Sequence, residues 1–267
     1  MKIIISLFLA LIFPLIADAS EQRYITGNEF KALCRYSFDE YGYRINRKVD
    51  NNCWFVKTDL LEKFLAQYLP TEDFVLISHN ADHGVVDKFL PYLDLPNLIH
   101  WYGQNIETTH PKLTSIPIGL CNFANHNAMR VVQKKDLAKT NLVYANYSVE
   151  TNRKEREKCL KETGVPIEKW KGFQAYLEDV AHSFFVLSPD GNGIDCHRTW
   201  EALYLKAIPI VTRSINVEFY ADLPIIILDS WEDYKNLDLT PELYLEIWGD
   251  FDPSFLTVEN FIPEGHR

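Results

Sequence analysis

Hydrophobic and polar positions along this chain alternate between two rhythms. Residues 59–68 (DLLEKFLAQY) place their apolar side chains at helical spacing. Residues 74–78 (FVLIS) form an unbroken apolar run of strand length, which predicts a buried strand. A helix over 85–92, a strand over 98–102 and a strand over 113–118 follow, with Pro117 marking a strand end or edge. Residues 124–139 carry Lys134, Lys135 and Lys139 and predict a helix with a connector. The rhythm then restarts: strand 142–147, charged helix 153–163, short helix 175–182, strand 184–187, helix 198–205, and strands 208–211 and 225–228. Strands alternating with helices imply parallel sheets covered on both faces. Two rounds with a break near residue 140 predict an α/β chain of two such units, 20–139 and 140–267.

Composition and charge narrow the chemistry. The chain has 267 residues, 47% of them hydrophobic, which is enough for a substantial core. Its net charge of −10 argues against a nucleic-acid partner, which needs a basic footprint. An anionic ligand would have to be held by local arginines and backbone amides rather than by the overall field. Residues 1–19 predict a signal peptide: Lys2, an apolar run over 3–16, then Ala17-Asp18-Ala19 as a cleavage pattern. The alternative is an uncleaved signal anchor, the one case in which the chain would meet a membrane. Both place the protein in the secretory pathway, lumenal or secreted, in an oxidising compartment. Among the five cysteines, Cys34 and Cys53 flank a tyrosine-rich segment and are candidates for a bridge. Asn146-Tyr147-Ser148 is a glycosylation sequon, expected to be unmodified because it closes a strand beside the candidate site.

Ligands of open parallel sheets sit beyond the carboxyl ends of the strands. Three loops of the second half lie there: 148–152, 188–196 and 213–216. The first opens a helix bearing Arg153 and Arg156, and a helix N-terminus suits phosphate. The second (SPDGNGIDC) offers Ser188, Asp190, Gly191 and Gly193, then Arg198 and, one turn on, Glu201. Arginines converging on one crevice favour a diphosphate over a single carboxylate. Taken alone, Arg198 and Glu201 are equally explained as a surface ion pair of small value.

The stretch FFVLSPDGNGIDCHRTWEALYLKAIPIVTRS resembles the donor-binding segment of the exostosin-like glycosyltransferases, glycosyltransferase family 47. The resemblance rests on Pro189, Gly191, Arg198, Glu201 and Ile208-Pro209-Ile210-Val211. The chain departs from that pattern at Lys206-Ala207, where the family usually has a glycine. LVYANYSVETNRKERE is similar to the start of the family's donor domain, and FVLISHNADHG to a stretch bearing histidine and aspartate. The resemblance spans roughly residues 70–230. It implies a compact GT-B architecture of two facing Rossmann-like parallel-sheet domains, and sugar transfer from a nucleotide sugar to a glycan or other hydroxyl acceptor, with inversion. Under that implication Arg153, Arg156 and Arg198 stabilise the leaving diphosphate, and Glu201 binds the ribose or the donor sugar. Asp82 is the expected base, with His79 second and His83 beside them, and Trp101, Tyr102 and His110 are candidates for the acceptor side. No obligatory metal or other cofactor is expected; manganese stays open. Two rivals remain. His79, Asp82 and His83, completed by His110 or His126, could serve a metal-dependent hydrolase. A non-catalytic nucleotide- or sugar-binding protein would keep the same loops.

Overall fold

The computed structural model describes residues 23–124 and 126–267; the expected signal segment lies outside the described residues. The first half contains α1 (Gly27–Ala32), β1 (Tyr36–Asp39), β2 (Gly42–Ile45), β3 (Cys53–Lys57), α2 (Leu61–Gln67), β4 (Phe74–His79), α3 (Leu90–Leu93), β5 (Leu98–Gly103), β6 (Leu113–Ser115) and α4 (His126–Lys134). The second contains β7 (Asn141–Tyr144), α5 (Arg153–Thr163), α6 (Phe173–Ala181), β8 (Ser183–Leu187), α7 (His197–Tyr204), β9 (Ile208–Thr212), α8 (Ile215–Glu218), β10 (Ile226–Leu228) and α9 (Pro241–Trp248). The α/β class expected from the alternation is present as two sheets. One is a six-stranded mixed sheet in the order β2-β1-β3-β4-β5-β6, in which only β1 and β2 run antiparallel. The other is a four-stranded parallel sheet in the order β10-β9-β8-β7.

The apolar runs explain the layering. Every residue of β4 is buried, as a central strand covered on both faces requires. Side chains alternate across a strand, so Val75 and Ile77 enter one core cluster while Phe74 and Leu76 enter another. The second sheet repeats this. Val186 and Val211 face the same cluster as Val75, and Phe185, Leu187, Ile208 and Ile210 face a separate one beneath α9. One face of each sheet therefore builds into a shared central core, where Ile25, Phe30 and Tyr102 of the first half meet Trp200, Leu203 and Tyr204 of the second.

Three differences from the sequence reading have physical causes. The strands β1 to β3 were not expected, because β2 is an exposed edge with no apolar run (Gly-Tyr-Arg-Ile) and the β1–β2 turn interrupts the pattern. Gly42, at φ +84, supplies the left-handed residue in that turn. A disulfide between Cys34 and Cys53 ties the end of α1 to β3, making the bridge the sequence offered as a candidate. The strand expected over 113–118 stops at Ser115, two residues before Pro117, and the strand expected over 142–147 stops at Tyr144. Residues 145–147 turn into a loop instead.

The division near residue 140 separates the two sheets but not the packing. Ser115 Oγ donates to Asn216 Oδ1 at 2.6 Å and lies 2.7 Å from the Tyr220 hydroxyl, all buried. The tail beyond α9 returns to the first half through short 3-10 turns rather than one long helix. It contributes Leu256, Val258 and Ile262 to the shared core and sets the His266 ring 2.6 Å from the Tyr102 hydroxyl.

Candidate functional site

The four-stranded sheet runs in sequential order and lacks the reversal at which open sheets usually make a crevice; the six-stranded sheet reverses only near its edge, where β1 lies between β2 and β3. The crevice forms instead where loops from the two halves meet. A cleft of about 440 Å³ is lined by Asp82 after β4, Ile118 after β6, Asn146 to Ser148 after β7, and loop residues between β8 and α7.

Two arginines dominate it. Arg156, in the first turns of α5, is buried, with Nε donating to the Asp190 carbonyl at 2.8 Å and Nη1 to the Ser148 carbonyl at 2.7 Å. Arg198, in the first turn of α7, donates from Nε to the Asn146 carbonyl at 2.9 Å, while its buried Nη1 has no hydrogen-bond partner. Both guanidinium groups lie against the Tyr147 ring, at 5.7 and 5.5 Å from its centre. Neither forms an ion pair with a carboxylate among the described residues. Burial, and next the charge of Arg198, press Arg156 below its ordinary pKa. Two like charges, one buried and one half-buried, without an ion-pair partner cost free energy that a bound anion would return. No side chain caps α7, whose first two residues, His197 and Arg198, line the same cleft.

The wall opposite is aromatic and acidic. Glu201 is buried and accepts from the Tyr176 hydroxyl at 2.6 Å. Burial holds that phenol protonated, well above its ordinary pKa. Trp170 and Phe173 extend the wall, with the Trp170 ring 64% exposed at the rim and its centre 5.8 Å from that of Tyr176. The sequence reading missed this wall, although the exposed tryptophan just before a helix start (KWKGF) was a signal. Asn146 lines the cleft as well, its side-chain amide donating to the Glu168 carbonyl at 3.2 Å.

Arg156, Gly191, Gly193, Arg198 and Glu201 thus line one cleft. Three other expected donor residues do not. Arg153 points into solvent, held by Glu150 and Glu157 on its outer side. Ser188 is buried behind the cleft, paired with Thr199 Oγ1 at 2.9 Å. Asp190 contributes its carbonyl to Arg156, while its carboxyl is pushed up to about 7 by burial and then by the charges of Glu155 and Asp195. Gly193 lines the cleft for an unexpected reason. A Cβ there would stand 2.4 Å from Asn105 Nδ2 and 2.9 Å from the Asp82 carbonyl, so the glycine admits the other half of the molecule rather than a ligand. Asn105, left-handed at φ +56, joins the halves: Nδ2 donates to the Asp82 carbonyl and Oδ1 accepts the Asp195 amide. Asp195 in turn accepts from the Ile118 amide at 2.7 Å and from Trp200 Nε1, and burial pushes its carboxyl up to about 7.

A second, more polar cavity of about 480 Å³ adjoins the first on the side of the six-stranded sheet, between α1, the β1–β2 turn and residues 120–123. Asp82, Ile118 and His197 border both cavities. The exposed Asp82 carboxylate accepts from Asn192 Nδ2 at 3.2 Å. His197 Nδ1 sits 2.7 Å from the Gly119 carbonyl, so that nitrogen carries the proton and Nε2 is the basic one. Its neighbour Cys196 is no partner for it as a nucleophile. Burial pushes the Cys196 thiol up to about 11, away from the reactive thiolate.

The remaining expected residues are placed elsewhere. His79 is buried, with Nε2 donating to the Pro117 carbonyl at 2.9 Å and Nδ1 accepting the Asn80 amide at 2.7 Å, so neither nitrogen is free to serve as a base. His83 is exposed and lines neither cavity. Trp101 is fully buried, donating from Nε1 to Ser78 Oγ, and Tyr102 packs in the shared core. His110 pairs with Asp94 at 3.2 Å, outside both cavities. These three line neither cavity. Among the described residues no three His, Cys, Asp or Glu side chains gather as a metal site, so the structure does not bring His79, Asp82 and His83 together with His110 or His126. Comparison with protein-family models finds no match to this chain, and comparison with curated proteins finds none either.

Proposed function

We propose that the chain is a glycosyltransferase of GT-B type, exostosin-like, which moves a sugar from a nucleoside-diphosphate donor to a hydroxyl of a glycan acceptor with inversion. The observation that carries this reading is the pair Arg156 and Arg198: the first buried, the second with a buried Nη1 lacking a partner, neither ion-paired to a carboxylate, and both lodged in a cleft between two α/β sheets. The pyrophosphate of the donor lies against the two guanidinium groups and the uncapped start of α7. These groups stabilise the charge that develops on the leaving diphosphate. Trp170, Phe173 and Tyr176 offer ring faces to the base or sugar, and the Glu201 carboxylate accepts from a sugar hydroxyl while Tyr176 fixes its position. Because two cations and a helix terminus supply the positive charge, the reading requires no obligatory metal, although manganese remains compatible with it.

The acceptor occupies the second cavity, and its hydroxyl reaches the donor where the cavities meet. The base must stand at that junction. Asp82 and His197 both do, whereas His79 does not have a free nitrogen. His197 Nε2 takes the acceptor proton while the Gly119 carbonyl steadies the ring through Nδ1, and Asp82 orients the acceptor or shares the proton. The protein acts in the secretory pathway, behind the expected signal segment.

The test is a thermal-shift screen of UDP- and GDP-sugars, followed by product analysis with glycan acceptors. One nucleotide sugar is expected to raise the melting temperature selectively, since a ligand at a hundred times its Kd adds about 2.7 kcal/mol. It should be consumed only when acceptor is present, giving a product of inverted anomeric configuration by NMR. Binding without turnover on any acceptor would favour a non-catalytic sugar-nucleotide binder; the absence of any nucleotide-sugar shift would overturn the reading.

A further inference from the structure

A third cavity, of about 470 Å³, lies apart from the cleft and shares none of its lining residues. It forms where the end of α4, the turn after α7 and the returning tail meet, with apolar walls from Val132, Leu137, Ala181 and Leu205. Four basic side chains, Arg130, Lys134, Lys139 and Lys206, line it against two aspartates, Asp136 and Asp252. Asp252 accepts the Ser254 amide through Oδ1 at 2.9 Å, and its carboxylate also feels the charge of Lys206 without forming an ion pair with it.

Two of the lysines are unusual. Lys139 is held in the wall, its ammonium donating to the Leu205 carbonyl at 3.1 Å, a bond that uses one of three protons. Lys206 adopts φ +58, a left-handed conformation costly for a residue with a Cβ. Neither forms an ion pair with a carboxylate among the described residues. Burial and the neighbouring Lys206 lower Lys139 to about 7, which marks how poorly its charge is compensated. Two adjacent ammonium groups at the mouth of an apolar cavity define a ligand with one anionic head and a hydrocarbon or ring body.

We propose that this cavity binds an amphiphilic carboxylate, its head between Lys139 and Lys206 and its apolar body against Leu137, Ala181 and Leu205. Calorimetric titration of the full protein with sodium octanoate, with 1-octanol and with inorganic phosphate tests this. Octanoate is expected to bind once per chain, at least about tenfold more tightly than either control. Lys139→Met and Lys206→Gly are each expected to weaken octanoate about tenfold or more. Lys206→Gly should melt no lower than the wild type, because glycine adopts φ +58 freely, so its loss of binding is not a loss of fold. Arg198→Ala should bind octanoate unchanged, which separates this site from the cleft. Equal binding of octanol or phosphate, or wild-type octanoate affinity in both lysine variants, would overturn the proposal.

Discussion

Replacing Arg198 with alanine separates ligand binding from folding more sharply than any other single change. In the free protein the side chain makes one hydrogen bond, to the Asn146 carbonyl, and one ring contact, with Tyr147. Each contributes about 1 kcal/mol. Against them stand a buried Nη1 with no partner and repulsion from Arg156. These terms nearly cancel, so the apo protein should change by no more than about 1 kcal/mol, or roughly 2–4 °C in melting temperature. In the complex the guanidinium would make charge-assisted bonds to the diphosphate, worth about 1.5–3 kcal/mol. Its removal should therefore weaken nucleoside diphosphate binding by roughly 10- to 150-fold. Titration calorimetry with UDP and GDP measures the first quantity, and the melt of the unliganded variant the second. Lysine at this position should fall between, because it keeps the charge and loses the fork. Wild-type affinity in the alanine variant would refute the reasoning, and so would an apo melting temperature lowered by ten degrees or more, which would make Arg198 a structural residue.

Three further expectations can be checked independently. His79 is neutral in the fold with its value lowered to about 4 by burial, against an ordinary 6.5. Between those values only the unfolded chain gains the proton, so stability falls as pH drops from 6.5 to about 4, by about 1.4 kcal/mol per pH unit and roughly 3 kcal/mol in all. The raised Asp195 carboxyl works in the opposite sense, losing stability as pH rises from its ordinary 3.8 to about 7. The clean measurement is therefore the difference in urea midpoint between wild type and His79→Gln at pH 7 and at pH 4.5, which should shrink towards the acid end. Opening the Cys34–Cys53 bridge, whose partners are 19 residues apart, by paired Cys→Ser substitution should cost about 3 kcal/mol in denaturant unfolding. Asn146, with its amide bonded to Glu168 and its backbone held by Arg198, should carry no glycan when the protein is secreted from eukaryotic cells; intact mass before and after amidase treatment decides it.

The sheet strands from β4 onward were legible as short apolar runs, though the bounds of β6 and β7 were not, and their order in the chain placed Arg156, Arg198 and Glu201 on helices that follow neighbouring strands. What periodicity could not convey was contact between loops distant in sequence. Gly193 reads as a ligand glycine until Asn105 is seen against it. His79 reads as a base until the Pro117 carbonyl and the Asn80 amide are seen to occupy its nitrogens. The aromatics Trp101 and Tyr102 fit a sugar platform by type, but both sit on a central strand where every ring goes to the core. Conversely no motif pointed to His197, and only the Gly119 carbonyl, 2.7 Å away, reveals which of its nitrogens is basic.

The knitting of both chain ends into one interior governs how the molecule is made. Ile25 donates its amide to the Tyr204 hydroxyl, which in turn donates to the Leu256 carbonyl, so one phenol fastens the beginning of the described chain to its tail. Nascent domains commonly fold as they leave the ribosome, in order from the N-terminus. Here the core that α1, α4 and α7 build against the first sheet is completed by Leu256, Val258 and Ile262, so it closes only after these later residues have emerged.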